Sequence, residues 1–141
     1  MSEQRDVVER EFRAQKTVLD EVTAFVEGAC ASLGYPRDHF FKLEMCIEEV
    51  FVNICSYAYP DGPGSGTVRV SVSPAEDGIA ICFVDGGIAF DPLAHEVGDL
   101  AERARKRTVG GLGIHLVRKF MDDVSYERSD GENWLTMVKR I

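Results

Sequence analysis

This chain is short of positive charge. Its 141 residues carry 16 lysines and arginines against 24 aspartates and glutamates, a formal net charge of -8. A nucleic-acid backbone needs a basic face, so no nucleic-acid partner is expected. Nucleotide binding remains open, because backbone amides, a magnesium ion and a few cations suffice to hold phosphate. Cysteine is sparse. Cys30, Cys46, Cys55 and Cys82 form no CxxC pair, and each lies among apolar neighbours. That argues against a disulfide framework or a zinc site and predicts reduced, buried thiols. His39, His95 and His115 are scattered, with no HExxH, so a histidine-built metal site is not expected. No apolar run approaches membrane-spanning length. The charged stretch from Met1 to Arg13 lacks the apolar segment of a signal peptide. These absences predict a soluble, cytoplasmic protein with no membrane partner. At 45% hydrophobic residues, the chain has enough apolar material for a real core. Residues 1–141 show no repeat and no linker and read as one domain.

Glycine, by contrast, is concentrated at one place. Gly110, Gly111 and Gly113 crowd one short stretch, and Ile114, Leu116, Val117, Phe120 and Met121 follow at helical spacing. The glycines therefore stand where a helix begins. A helix N-terminus exposes unpaired N–H groups and partial positive charge, and glycine lets an anion approach them closely. Taken alone, the loop reads equally as a plain chain reversal.

The rest of the chain sorts by period. Val7 to Phe12 alternates weakly and predicts a first strand. Val18, Val22, Phe25, Val26, Ala29 and Leu33 predict a helix over 17–33, broken by Gly34-Tyr35-Pro36. A second helix is predicted over about 37–58, with Phe40, Leu43, Ile47, Val50, Phe51 and Ile54 in one stripe. Its opposite side still holds Met45, Cys46, Val52 and Tyr57, which predicts cover on both sides. Strands over 67–73 and 79–84 flank Glu76-Asp77-Gly78, and strands over 124–128 and 134–139 flank Ser129-Asp130-Gly131. This order predicts α+β architecture, with helices on one face of a mostly antiparallel sheet.

Three groups can carry chemistry. Glu49 and Asn53, four apart, share one helix face. Asn53 can offer magnesium a carbonyl oxygen while Glu49 polarises a water or a hydroxyl. An ordinary polar face, with Glu44 and Glu48 for company, reads the same way. Asp85 ends a strand that looks central and precedes Gly86-Gly87. It can accept a hydrogen bond from an adenine amine, or simply start a turn. Arg103, Arg105, Lys106 and Arg107 immediately precede the glycine loop. They suit a terminal phosphate, an acidic partner or a solvated helix end.

Taken in order, these groups resemble a known family. Glu49-Val50-Phe51-Val52-Asn53 is similar to the N box of the GHKL ATP-binding superfamily. Asp85-Gly86-Gly87-Ile88-Ala89-Phe90-Asp91-Pro92 resembles its G1 box, and Gly111-Leu112-Gly113-Ile114-His115-Leu116-Val117 its G2 box. The tail, with Met121-Asp122-Asp123-Val124-Ser125-Tyr126, Gly131 and Leu135-Thr136-Met137, resembles the small bacterial anti-sigma-factor serine kinases. The likeness covers about Phe12 to Ile141.

The resemblance implies the Bergerat (GHKL) fold, a two-layer α/β sandwich with helices on one face of a mixed, mostly antiparallel sheet. It implies ATP or ADP with Mg2+, Glu49 as the catalytic base for a serine hydroxyl, and Asn53 as the magnesium ligand. It implies Asp85 as the adenine reader, Gly87 as support for the pocket, and Thr136 as a hydroxyl assisting Asp85 through water. Gly111, Leu112 and Gly113 would wrap the phosphates, with Arg105 as the cation of the lid. The implied partners are a sigma factor and a STAS-domain anti-anti-sigma protein, with a homodimer as the default assembly. Two positions depart from the pattern. Ala89 replaces a usual glycine, and Tyr57 stands where histidine is common. Both leave room for the alternative of a catalytically silent nucleotide-binding module.

Overall fold

The chain runs β1 (Val8–Arg13), α1 (Leu19–Ser32), α2 (Phe40–Tyr57), β2 (Thr67–Ala75), β3 (Gly78–Asp85), α3 (Gly111–Phe120), β4 (Asp123–Ser129) and β5 (Glu132–Arg140). These bounds come from a computed structural model that describes residues 7–60, 62, 65–94 and 111–141, with 111–113 described by backbone alone. The five strands form one sheet in the order β1-β2-β3-β5-β4. All four pairings are antiparallel, so the sheet is antiparallel throughout the described residues. The α+β architecture expected from the sequence is the one observed.

Local chemistry accounts for the boundaries. The first helix opens with a 3-10 turn, Lys16–Val18, and the second with another, Arg37–His39. At the end of α1 the chain turns left-handed at Gly34, with φ 90°. The Gly34 N–H reaches Ala31 O at 3.0 Å and the Tyr35 N–H reaches Cys30 O at 2.9 Å. That pair of bonds is a Schellman cap, which satisfies helix-end carbonyls and favours glycine. Between β4 and β5, Asp130 and Gly131 both take positive φ. This is the two-residue type I′ turn that matches strand twist, and Asp-Gly is a preferred sequence for it.

The sheet separates two environments by parity. Val68, Val70 and Val72 of β2, Ile79, Ile81 and Phe83 of β3, and Leu135 and Met137 of β5 are buried. Successive strand side chains alternate faces, so these residues share the helix-covered side. The core stripe of α2 meets them through Leu43, Ile47, Val50 and Phe51, all essentially inaccessible. Truncating a buried Phe51 to alanine is worth about 3–5 kcal/mol on general grounds. α2 touches both α1 and α3, which explains its apolar residues outside the main stripe. All four cysteines are free thiols, with Cys30 and Cys46 buried. Burial pushes the Cys30 thiol up to about 12 and the Cys46 thiol up to about 11, so both are poor nucleophiles.

Candidate functional site

β3 is the central strand, and Asp85 is its last residue on the helix-covered face. Ile79, Ile81 and Phe83 precede it at alternate positions, so a carboxylate occupies a place where a hydrophobe would pack. Asp85 is 5% exposed. A charge this buried needs partners. Its Oδ1 accepts the Gly87 N–H at 2.9 Å and the Asn133 amide N–H at 2.9 Å. Both donors among the described residues use one oxygen, which leaves the second for a ligand. Burial pushes the Asp85 carboxyl above its ordinary range, opposed by the bonds from Asn133 and Gly87 and by the nearby Arg128.

Asn133 is the residue that sequence reasoning missed. It pairs with Asp85 across β3 and β5. Its Nδ2 also donates to Ile88 O at 2.8 Å. Its Oδ1 accepts from the Tyr126 hydroxyl, from Arg128 Nη1 at 3.2 Å and from the Phe90 N–H at 3.5 Å. Arg128 Nη1 donates as well to Gly87 O at 2.8 Å. One signal was available. Asparagine is depleted in strands, and Asn133 shares parity with the core residues Leu135 and Met137.

Thr136 does not join the site. It lies an odd number of residues from Leu135 and Asn133, so the pleat sends it to the face of the sheet opposite the described helices. There its hydroxyl donates to Cys82 Sγ at 3.5 Å. The expected contact with Asp85 is therefore replaced by the direct bond from Asn133.

The turn after β3 is tied down on two sides. A Cβ on Gly87 would lie 2.1 Å from Ala58 O, so only glycine allows this approach to the end of α2. The Ile88 N–H donates to the same Ala58 O at 2.9 Å. The Tyr59 hydroxyl accepts from the Gly86 N–H at 2.9 Å and donates to Thr67 O at 2.6 Å. Ala89 is exposed, and the only described non-glycine residues with positive φ are Asp77 and Asp130. The methyl group at position 89 therefore costs no left-handed strain.

Asp85 and Asn133 stand in a pocket of about 470 Å³, counting the part open to solvent. Phe83 and Leu135 line it from the sheet, Val50, Asn53 and Ile54 from α2, and Ile114 from the first turn of α3. Tyr57 and Phe90 also line it, their ring centroids 5.9 Å apart. The pocket is thus apolar, with a buried carboxylate among its walls and an amide, Asn53, on its helix side. Asn53 is 9% exposed, and its side chain makes no hydrogen bond among the described residues. Glu49 stands one turn earlier on α2, half-buried and outside the pocket lining. Desolvation, and then the neighbouring Glu48, push its carboxyl above the ordinary range. Gly111, Leu112 and Gly113 form the opening turn of α3, as the sequence implied, and Arg105 lies outside the described residues.

The comparisons with known proteins match this architecture. A family model described as a histidine kinase-like ATPase domain matches residues 12–139, and the chain belongs to that family. It is 32% identical over 98 residues to the serine/threonine-protein kinase BtrW of Bordetella bronchiseptica, covering 70% of this chain and 68% of that protein. It is 28% identical over 136 residues to the serine-protein kinase RsbW of Bacillus velezensis, covering 93% of this chain and 84% of that one. RsbW of Bacillus subtilis is 26% identical over the same shares. No described helix is long and apolar enough to cross a membrane.

Proposed function

We propose that this chain is a Mg-ATP-dependent protein serine kinase that acts as an anti-sigma factor. Its substrate is a serine on a STAS-domain anti-anti-sigma partner, and it also sequesters a sigma factor. The observation that carries the nucleotide half is the buried Asp85, saturated on one oxygen by Gly87 and Asn133 and lining an apolar pocket. Such an arrangement accepts a flat apolar ring with a donor on its edge, which describes adenine. The names of the relatives support the kinase half.

The residues divide the work. Asp85 accepts the exocyclic amine, and Gly87 keeps the turn against α2. Asn53 is the residue that would hold magnesium, since its mostly buried amide lines the pocket without a hydrogen-bond partner among the described residues. The described residues include no cluster of three acidic, histidine or cysteine side chains. The fit is therefore to an ion that takes most of its ligands from phosphate oxygens and water. When bound, the ion neutralises charge on the phosphates. The N–H groups opening α3 at Gly111 to Gly113 face an anion favourably, and Arg105 adds a cation. Glu49 takes the proton from the serine hydroxyl as the serine oxygen attacks the γ-phosphorus, and the bond from that phosphorus to the β–γ bridging oxygen breaks to release ADP. Desolvation raises its pKa in the direction a general base requires. The protein works as a cytoplasmic single domain, with a symmetric dimer as the default assembly.

A catalytically silent nucleotide-binding module is the second reading, and Tyr57 against Phe90 in the pocket favours it. Transfer of label from radioactive ATP to the partner serine distinguishes the two. Tight ATP binding without transfer to any cognate partner favours the silent module.

A further inference from the structure

We infer that Asn133 is a positioning residue whose locked amide makes Asp85 select a purine bearing an exocyclic amine. The inference rests on the nucleotide-binding reading above and concerns a residue that need not touch the ligand. An asparagine amide has two donors and one acceptor oxygen, and which end points where is set by its neighbours. Here both ends are determined. From β4, the Tyr126 hydroxyl and Arg128 Nη1 present donors, and the Phe90 N–H adds a third. The amide oxygen must face them. The two N–H groups are then forced toward Asp85 Oδ1 and Ile88 O, at 2.9 and 2.8 Å. A flipped amide would set oxygen against oxygen at both places and nitrogen against three donors.

The consequence reaches Asp85. Its Oδ1 meets two fixed donors, Gly87 N–H and Asn133 Nδ2, so the plane of the carboxylate is held. The remaining oxygen can act only as an acceptor while the group is ionised. It suits a 6-amino purine and repels the 6-oxo oxygen of inosine or guanine. A hydroxyl at position 133 would rotate and leave this choice open; the locked amide does not. Burial alone favours the protonated carboxyl, which would donate instead, and the Asn133 bond works against that. Tyr126 and Arg128, on the edge strand β4, thereby fix the chemistry of a carboxylate on β3.

The test is a purine-selectivity ratio. Calorimetric titration of the full chain uses Mg-ATP, purine riboside triphosphate, which lacks the amine, and inosine triphosphate, which replaces it with a carbonyl. Wild type prefers ATP over both by about tenfold or more, the worth of a hydrogen bond to a charged acceptor. Asn133→Leu brings the ratio toward one, with the loss concentrated in ATP. A purely structural role would weaken all three nucleotides in parallel and keep the ratio, which overturns the inference. If Asn133→Leu does not fold, the double variant Tyr126→Phe with Arg128→Met carries the test. It leaves Asn133 in place but removes two of the three donors that hold its amide oxygen, and the ratio falls at least about threefold; an unchanged ratio again overturns the inference. A wild-type chain that binds no purine triphosphate sinks the nucleotide reading itself. A preference for ATP that survives these substitutions sinks only the role of Asn133.

Discussion

Asn133 faces Asp85 across the β3–β5 pairing, its Nδ2 2.9 Å from the carboxylate Oδ1. The two residues are far apart in sequence and adjacent only through strand register. That adjacency turns a costly buried charge into an oriented acceptor within an apolar pocket, and several outcomes follow from it.

Asp85→Asn removes the charge while keeping the shape. The folded-state pKa of Asp85 lies above its ordinary value, so its contribution to stability is present below the unfolded pKa and lost as pH rises through the folded one. At neutral pH the ionised group costs stability, and the neutral variant escapes that cost. Thermal unfolding at pH 7 should place Asp85→Asn at or above wild type, with the advantage fading toward about pH 4. ATP affinity should fall about tenfold or more, because a donor replaces the acceptor. A variant clearly less stable at pH 7, or one that binds ATP normally, contradicts this.

Two neighbouring glycines should behave differently. An alanine Cβ at position 87 meets the Ala58 carbonyl oxygen at 2.1 Å, whereas at position 86 the nearest atom is the Tyr59 hydroxyl at 3.9 Å. Denaturant unfolding should show Gly87→Ala destabilised by about 1–3 kcal/mol. Gly86→Ala should stay within about 0.5 kcal/mol. Equal effects would show that the turn is not held against α2 as described.

Thr136→Val tests which face of the sheet matters. The hydroxyl bonds Cys82 on the side of the sheet away from the described helices, so ATP affinity should remain within about twofold of wild type. A tenfold loss would return Thr136 to the nucleotide pocket.

Glu49 should set the acid limb of phosphotransfer. A general base works ionised, so the rate rises with pH through the Glu49 pKa and then levels off. Glu48 is one cause of the raised value. Glu48→Gln should therefore move the limb to lower pH while leaving the plateau unchanged. A limb that stays in place would assign the titration to another group.

Much of this was legible in the sequence, and the gaps have physical causes. The alternation of Val68, Val70 and Val72, the Asp130-Gly131 turn and the break at Gly34 are local signals, and the elements fell where they pointed. Strands ran one or two residues further than the apolar pattern, because ladder hydrogen bonding does not need apolar side chains. Asp85 and Gly87 were visible as a short motif at a strand end. Asn133 was not, because its role depends on the register between β3 and β5 and on donors arriving from β4. Thr136 was misplaced for a related reason. Likeness along the chain suggested a hydroxyl near Asp85, while the pleat assigns position 136 to the wrong face. Parity counted from the buried Leu135 would have selected Asn133.

The most direct measurement follows radioactive γ-phosphate from ATP to a serine of the cognate STAS-domain partner, with wild type and Glu49→Ala side by side and ATP affinity measured for each. Wild type should label the serine. Glu49→Ala should bind ATP as wild type does and transfer phosphate about 10²–10⁴ times more slowly. Undiminished transfer by Glu49→Ala, or tight ATP binding by wild type with no transfer, would contradict the account.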